Sequence, residues 1–298
     1  MSLKVIKTPS ERFLNLPDYD FSENYITIKY QDTKMNMHYV DLNNDSKKVI
    51  LLLHGEPTWS YLYRHMIKRL AKSGHRIIAP DLIGFGKSDK FVEKEIYTYA
   101  NHINWTAQFI NQMNLHSMVL FAQDWGSLLG LRHVASYPER FDGIVLSNGG
   151  LPVGAGSTPA FDQWLNFSQS VENFNCGKIV NQGCLKKLTD GEIAAYNAPF
   201  PDERFKVGAR VFPTLVPIKT YHDQVKENKN AWKVLQQFNK PTITLFGEQD
   251  KIFAGQEKFI TEKIPGAKGM KHQNIRAGHF SQEDQPEILC QAILTICQ

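Results

Sequence analysis

The chain has 298 residues, of which 42% are hydrophobic and 21% charged, and a net charge of +4. That composition suits one large soluble domain, or a core with an inserted subdomain, able to bury a substantial core. The basic residues are scattered singly, which gives no argument for nucleic acid or an acidic membrane surface, and no segment is apolar for long enough to span a bilayer.

In chain order, Tyr25 to Tyr30 and Met35 to Val40 alternate with period two and predict an antiparallel edge hairpin. Val49 to Leu53 is a continuous apolar run, as in a strand buried on both faces. A helical pattern runs from Ser60 to Ser73 and stops at Gly74. Strand Arg76 to Ala79, a turn through Gly84 and Gly86, and a helix from Tyr97 to Met113 come next. Strand Met118 to Ala122, helix Gly126 to Ser136 and strand Ile144 to Ser147 complete the first part. Strands alternating with helices predict a mostly parallel sheet with right-handed crossovers.

The alternation breaks after Asn148-Gly149-Gly150. From Leu151 to about Lys229 the sequence predicts helices without a parallel strand, so the chain divides into core 1–150, helical insertion 151–229 and returning core 230–298. Strand Thr242 to Phe246, helix Gln256 to Ile264, a short strand at Gln273 to Arg276 and helix Pro286 to Cys297 resume the alternation. The start, Met1 to Lys7, lacks the apolar stretch of a secretory signal, and the chain reads as cytoplasmic. Cys176, Cys184, Cys290 and Cys297 read as free thiols rather than bridges in that compartment. No His and Cys spacing marks a metal site, and no cofactor is expected.

Three positions carry chemistry, each directly after a predicted strand. The strand ending at Ala122 leads through Gln123 to Asp124, Trp125 and Gly126, where a helix begins. This is the strand–turn–helix of a nucleophile elbow, with a carboxylate in the place a serine hydrolase fills with its hydroxyl. A carboxylate attacks saturated carbon and leaves an alkyl ester that must itself be hydrolysed. Asp250, in Gly247-Glu248-Gln249-Asp250, and His279, in Gly278-His279-Phe280, follow the next strands. Taken alone, each motif is more often a turn or a structural histidine than a catalytic group. In the order nucleophile, acid, base, at one sheet edge, they support a triad. The loop His54-Gly55-Glu56-Pro57 would supply one oxyanion-hole N–H from Glu56, with the other from Trp125. His54 itself reads as structural.

Four segments closely resemble the haloalkane dehalogenases of the α/β-hydrolase superfamily: His54 to Trp59, Ala79 to Asp89, Gln123 to Gly126, and Gly278 to Phe280. The resemblance covers the chain from about Tyr25 onward; Ala122 departs mildly from the glycine often found two before the nucleophile, and is still small. It implies an α/β-hydrolase fold, with a mostly parallel eight-stranded sheet flanked by helices and an inserted helical cap. It implies Asp124 as nucleophile, His279 as base and Asp250 as the acid orienting it. Glu56 points to the subfamily that binds departing halide through two tryptophans. Those are Trp125 and Trp164, the latter the only tryptophan of the insertion. Phe161, Phe212, Pro213, Val216, Ile252 and Phe253 are the implied pocket wall, though each apolar side chain suits the core equally well.

The expected reaction takes a haloalkane to primary alcohol, halide and proton, in a monomeric detoxifying enzyme without nucleic-acid or membrane partners. Aromatic crowding favours short chains; chloride, bromide and iodide are expected to leave and fluoride is not. Activity is expected to fall below roughly pH 6.5, the ordinary histidine pKa. An epoxide hydrolase would share the triad and need cap tyrosines, for which Tyr196 and Tyr221 are available. A fluoroacetate-type dehalogenase would need arginines at the nucleophile, where Gln123 and Trp125 stand instead. A non-catalytic binding protein of the same fold would typically have lost a triad member.

Overall fold

The computed structural model describes residues 3–298; Met1 and Ser2, the first two of the seven residues read for a secretory signal, lie outside it. The strands are β1 (Val5–Ile6), β2 (Asn24–Tyr30), β3 (Thr33–Leu42), β4 (Val49–Leu53), β5 (Arg76–Pro80), β6 (Lys90–Phe91), β7 (Met118–Gln123), β8 (Phe141–Ser147), β9 (Thr242–Gly247) and β10 (Gln273–Ile275). Eight of them form one sheet in the order β2-β3-β5-β4-β7-β8-β9-β10, while β1 and β6 pair separately. Only β3 runs against the rest, antiparallel to both β2 and β5. Every ladder from β5 to β10 is parallel. This is the α/β-hydrolase arrangement that the resemblance implies.

The central strands β4 and β7 are buried along their whole length, as their unbroken apolar sequences require. Alternate side chains serve opposite faces. Ile50, Leu52, Val119 and Phe121 meet helices Arg64–Leu70 and Pro286–Cys297. Val49, Leu51, Leu53 and Leu120 meet helices Tyr99–Gln112, Trp125–Ser136 and Val225–Leu235. Local signals set the ends. Gly74 takes a left-handed φ of 78° to close the first helical segment. The Thr98 hydroxyl accepts from Asn101 N to start helix Tyr99–Gln112.

Between β8 and helix Val225–Leu235 stand four α-helices: Pro159–Ser170, Cys176–Gly183, Asp190–Asn197 and Val207–Val211. Side chains of Thr158, Asn175 and Thr189 cap the first three. A bridge between Ala155 and Lys219 ties the two ends of the insertion together. Position 229 falls inside helix Val225–Leu235, which packs on helix Trp125–Ser136 through a buried face that includes Ala231, Trp232 and Leu235. Arg64 pins the insertion to the core, pairing with Glu192 of helix Asp190–Asn197 and with Glu283 just beyond the His279 loop. Cys176, Cys290 and Cys297 are buried and Cys184 is half-buried. No helix among the described residues is long and apolar enough to cross a membrane.

The sheet positions the site. Chain order reverses at β4, which lies between β5 and β7, and open parallel sheets leave a crevice at the carboxyl ends of such strands. Glu56, Asp124, Asn148, Asp250 and His279 follow β4, β7, β8, β9 and β10 respectively.

Candidate active site

β7 ends at Gln123 and a helix starts at Trp125, so Asp124 alone makes the turn, at φ 52° and ψ −129°. A non-glycine residue in such a conformation costs of order 1–3 kcal/mol, and its surroundings must hold it there. They do: Asp124 N donates to Asn148 O at 2.9 Å, and Asp124 O accepts from Ser127 N at 2.9 Å and Ser127 Oγ at 2.6 Å. Two glycines make the approach possible. A Cβ at Gly126 would collide with Leu53 O, and one at Gly55 would collide with the Asp124 carboxyl. The loop after β4 therefore comes close enough for Glu56 N to donate to Asp124 Oδ1 at 2.8 Å. The Trp125 N–H also holds this carboxylate.

His279 Nε2 lies 3.7 Å from Asp124 Oδ2, and its Nδ1 lies 3.2 Å from Asp250 Oδ2. Ile252 N fixes Asp250 by donating to its Oδ1 at 2.9 Å. Two residues that the sequence reading did not single out brace this constellation. The Asn148 amide accepts from Gly247 N at 2.7 Å and donates to the carbonyls of Gly278 at 2.8 Å and His279 at 2.9 Å. It thereby ties the acid-bearing segment to the base-bearing one. The Gln123 amide nitrogen lies 2.9 Å from His279 Nε2 and 3.2 Å from its carbonyl oxygen. A polar side chain at the very end of a buried apolar strand was the available signal for both.

Burial sets the charge states. It raises the pKa of Asp124, against the opposing pull of the His279 charge and the N–H groups of Trp125 and Glu56. It pushes the Glu56 carboxyl well above the usual range, with the Asp124 charge adding, which favours its uncharged form. Glu56 Oε1 is buried and meets no protein partner among the described residues. Burial pulls His279 down, but the charge and hydrogen bond of Asp250, with Asp124 adding, outweigh it and raise its pKa.

These groups open into a cavity of about 790 Å³ whose wall includes Glu56, Asp124, Trp125, Trp164 and His279. Phe161, Pro213, Val216, Ile252 and Phe253 line it as well. Phe212 does not. It stacks on the far side of Trp125 at 4.4 Å and 22°, fully buried, because Phe85 and His102 fill the space behind it. The indole N–H groups of Trp59 and Trp232 donate to backbone carbonyls, at 3.3 Å and 2.9 Å. Those of Trp125 and Trp164 meet no protein acceptor among the described residues, and both side chains face the cavity.

Other candidates lie elsewhere. The Tyr196 hydroxyl donates to Glu283 away from the cavity wall, and Tyr221 is 79% exposed. Neither stands where an epoxide oxygen would need a proton. No arginine or lysine lines the cavity among the described residues, which leaves a carboxylate substrate without a cationic partner. His54 Nδ1 meets Gly55 O and its Nε2 accepts from Leu82 N, both at 2.9 Å, so its two nitrogens serve the backbone. His65, Glu192 and Glu283 offer ligand atoms within 4.8 Å of one another, but the Arg64 guanidinium already pairs with both carboxylates.

Comparison with known proteins agrees with this geometry. Residues 48–175 match a family model described as alpha/beta hydrolase fold. A haloalkane dehalogenase of Psychrobacter cryohalolentis is 45% identical over 96% of this chain and 95% of its own length. Haloalkane dehalogenase 1 of Mycobacterium tuberculosis is 42% identical over 98% of each chain. The haloalkane dehalogenase of Paraglaciecola agarilytica NO2, solved as a tetramer, superimposes with a TM-score of 0.92 and 33% identity over 98% of this chain and 99% of that one. With full-length identity of this order to curated relatives, the chain belongs to the haloalkane dehalogenases of the α/β-hydrolase fold.

Proposed function

We propose that this chain hydrolyses haloalkanes to alcohol, halide and a proton through an alkyl ester on Asp124. The observation that carries the reading is the meeting, on one cavity wall, of an elbow carboxylate, a carboxylate-paired histidine and two indoles without protein acceptors. The Asp124 carboxylate attacks the halogen-bearing carbon, the carbon–halogen bond breaks, and the halide leaves toward the N–H groups of Trp125 and Trp164. Water then attacks the ester carbonyl while His279 Nε2 takes its proton, and Asp250 stabilises the imidazolium. The developing oxyanion is held by the N–H groups of Glu56 and Trp125, worth about 3 kcal/mol per donor in related chemistry. Collapse breaks the bond to the alkoxy oxygen. The alkoxide takes the proton from His279, and Asp124 returns to its carboxylate by releasing one proton.

The helical segment from 151 to the start of helix Val225–Leu235 acts as the cap over this cavity. The cavity of about 790 Å³ is larger than a two-carbon halide, so the assay compares a short with a longer chain and tests the short-chain preference expected from aromatic crowding. The test is one assay with 1,2-dibromoethane, 1-bromohexane, styrene oxide and fluoroacetate, following halide, diol and acid. Bromide release from both bromoalkanes without diol or fluoride is expected. Diol alone would support the epoxide reading, and no product from any of them a binding protein. The reading extends to a monomeric cytoplasmic enzyme of detoxification. Equilibrium sedimentation is expected to give one 34.1 kDa chain, and a mass four times greater would match the Paraglaciecola assembly instead.

A further inference from the structure

Gln123 is the last residue of β7, fully buried and adjacent to Asp124. Its amide nitrogen contacts His279 twice, at 2.9 Å from Nε2 and 3.2 Å from the carbonyl oxygen. The second contact settles the orientation of the amide. The His279 carbonyl already accepts from Asn148 Nδ2 at 2.9 Å, and turning the Gln123 oxygen toward it would oppose two acceptors. The NH2 group therefore faces His279, with one hydrogen for the carbonyl and one for Nε2. A donor at Nε2 requires a lone pair there, so this contact fits the neutral ring with its proton on Nδ1, toward Asp250 Oδ2 at 3.2 Å.

We propose that Gln123 is a positioning residue that holds His279 in the Nδ1–H tautomer and biases the ring against the imidazolium form. This rests on the reading of His279 as the base of ester hydrolysis. The charged groups facing the ring are Asp250, from the loop after β9, and Asp124, from the elbow after β7; both favour the imidazolium. Glu56, from the loop after β4, neighbours Asp124, and its carboxyl pKa is raised by burial and by the Asp124 charge. Phe253 and Phe280 pack on the ring without charge. Gln123 supplies the opposing influence, because its N–H bonds the neutral ring and repels a protonated Nε2.

Nε2 has a single lone pair, so Gln123 and the hydrolytic water use the same site in turn. In the hydrolytic step the water O–H bond breaks, the proton bonds to Nε2, and the water oxygen bonds to the ester carbon. The Gln123 N–H turns away as this happens. With N–H then opposed to N–H, the proton passes on more readily to the leaving alkoxide, and the resting contact forms again.

The test uses the full-length chain with Gln123→Leu, which removes both donors at similar volume, and Gln123→Glu, which replaces the donor with an acceptor. Nitrogen-15 NMR follows the ring titration of His279, assigned by the signal that His279→Gln removes. The midpoint is expected to rise by about one pH unit in Gln123→Leu, the size of one ordinary hydrogen bond, and by more in Gln123→Glu. The pH midpoint of single-turnover ester hydrolysis is expected to rise with it. The first-turnover burst of bromide from 1-bromohexane, which does not use the histidine, is expected to stay within about twofold. A midpoint unchanged or lowered in both variants would overturn the proposal. So would a burst slowed as much as hydrolysis, which is the mark of a merely structural role. A wild-type chain that forms no alkyl ester would overturn the base assignment instead, and the ring titration would still decide the influence of Gln123 on the ring.

Discussion

The backbone N–H of Glu56 donates to Asp124 Oδ1 at 2.8 Å, so the loop after β4 holds the carboxylate proposed as nucleophile before any substrate arrives. Oδ2, 3.7 Å from His279 Nε2, is the oxygen left to attack. In the proposed mechanism the same N–H later meets the oxyanion, because Oδ1 of the ester is the atom on which that charge develops. The contact depends on Gly55, whose missing side chain makes room for the carboxyl.

The side chain of Glu56 contributes differently from its backbone. Burial and the Asp124 charge push its pKa well above the ordinary value, which favours the uncharged acid. Glu56→Gln preserves the N–H and mimics that uncharged form. Steady-state bromide release is expected to remain within about threefold of wild type, a change under about 0.7 kcal/mol. A loss of a hundredfold would mean that the ionised carboxylate is required.

The pH dependence follows from His279. Its pKa is raised in the free enzyme because Asp250 and Asp124 together outweigh the cost of burial. A base must be neutral, and a raised pKa keeps the ring protonated to higher pH. The ring therefore titrates above roughly 6.5, rather than at the ordinary value that the sequence alone suggests. Asp124→Asn removes one of the two raising charges, so the NMR midpoint of His279 is expected to fall in that variant. The neutral ester of Asp124 acts in the same direction during turnover.

Much of this was legible because the chemistry sits at strand ends. Asp124, Asp250 and His279 each follow a run of strand formers, and parallel sheets gather such positions at one edge. Helix Pro286–Cys297 could be read to the residue, since Pro286 sets its start. Asn148 and Gln123 could not be given roles, because each acts through amide contacts to residues at least 99 positions away along the chain. Phe212, expected on the pocket wall, is not there, because its burial behind Trp125 depends on Phe85 and His102, which the sequence does not place beside it. The helix over position 229 resembles an insertion helix in sequence, whereas its packing on helix Trp125–Ser136 depends on residues about a hundred positions earlier.

Trp164 carries the halide assignment within the cap. Trp164→Phe keeps the aromatic surface and removes one N–H from the cavity. Hydrogen bonds to charged groups contribute about 1.5–3 kcal/mol, so bromide, measured by quenching of Trp125 fluorescence, is expected to bind roughly ten- to a hundredfold more weakly. Unchanged bromide affinity would remove Trp164 from the halide site.

Arg64 anchors a buried ion-pair cluster. Its guanidinium is fully buried, stacks over Tyr61 at 4.2 Å, and joins Glu192 at 2.7 Å to Glu283. Arg64→Met leaves two carboxylates without this partner and is expected to cost about 3–5 kcal/mol in urea denaturation. Adding Glu283→Gln is expected to recover part of that loss. A single variant within 1 kcal/mol of wild type, on the usual scale of exposed ion pairs, would show that the cluster contributes little.

The covalent ester is the centre of the account, and His279→Gln tests it most directly, because the base acts only after the ester has formed. The variant is incubated with 1-bromohexane, digested and examined by mass spectrometry. The peptide containing Asp124 is expected to carry one added hexyl group, with one bromide released per chain and no alcohol. An unmodified Asp124 peptide alongside released bromide would contradict the account, since water would then be displacing the halide directly.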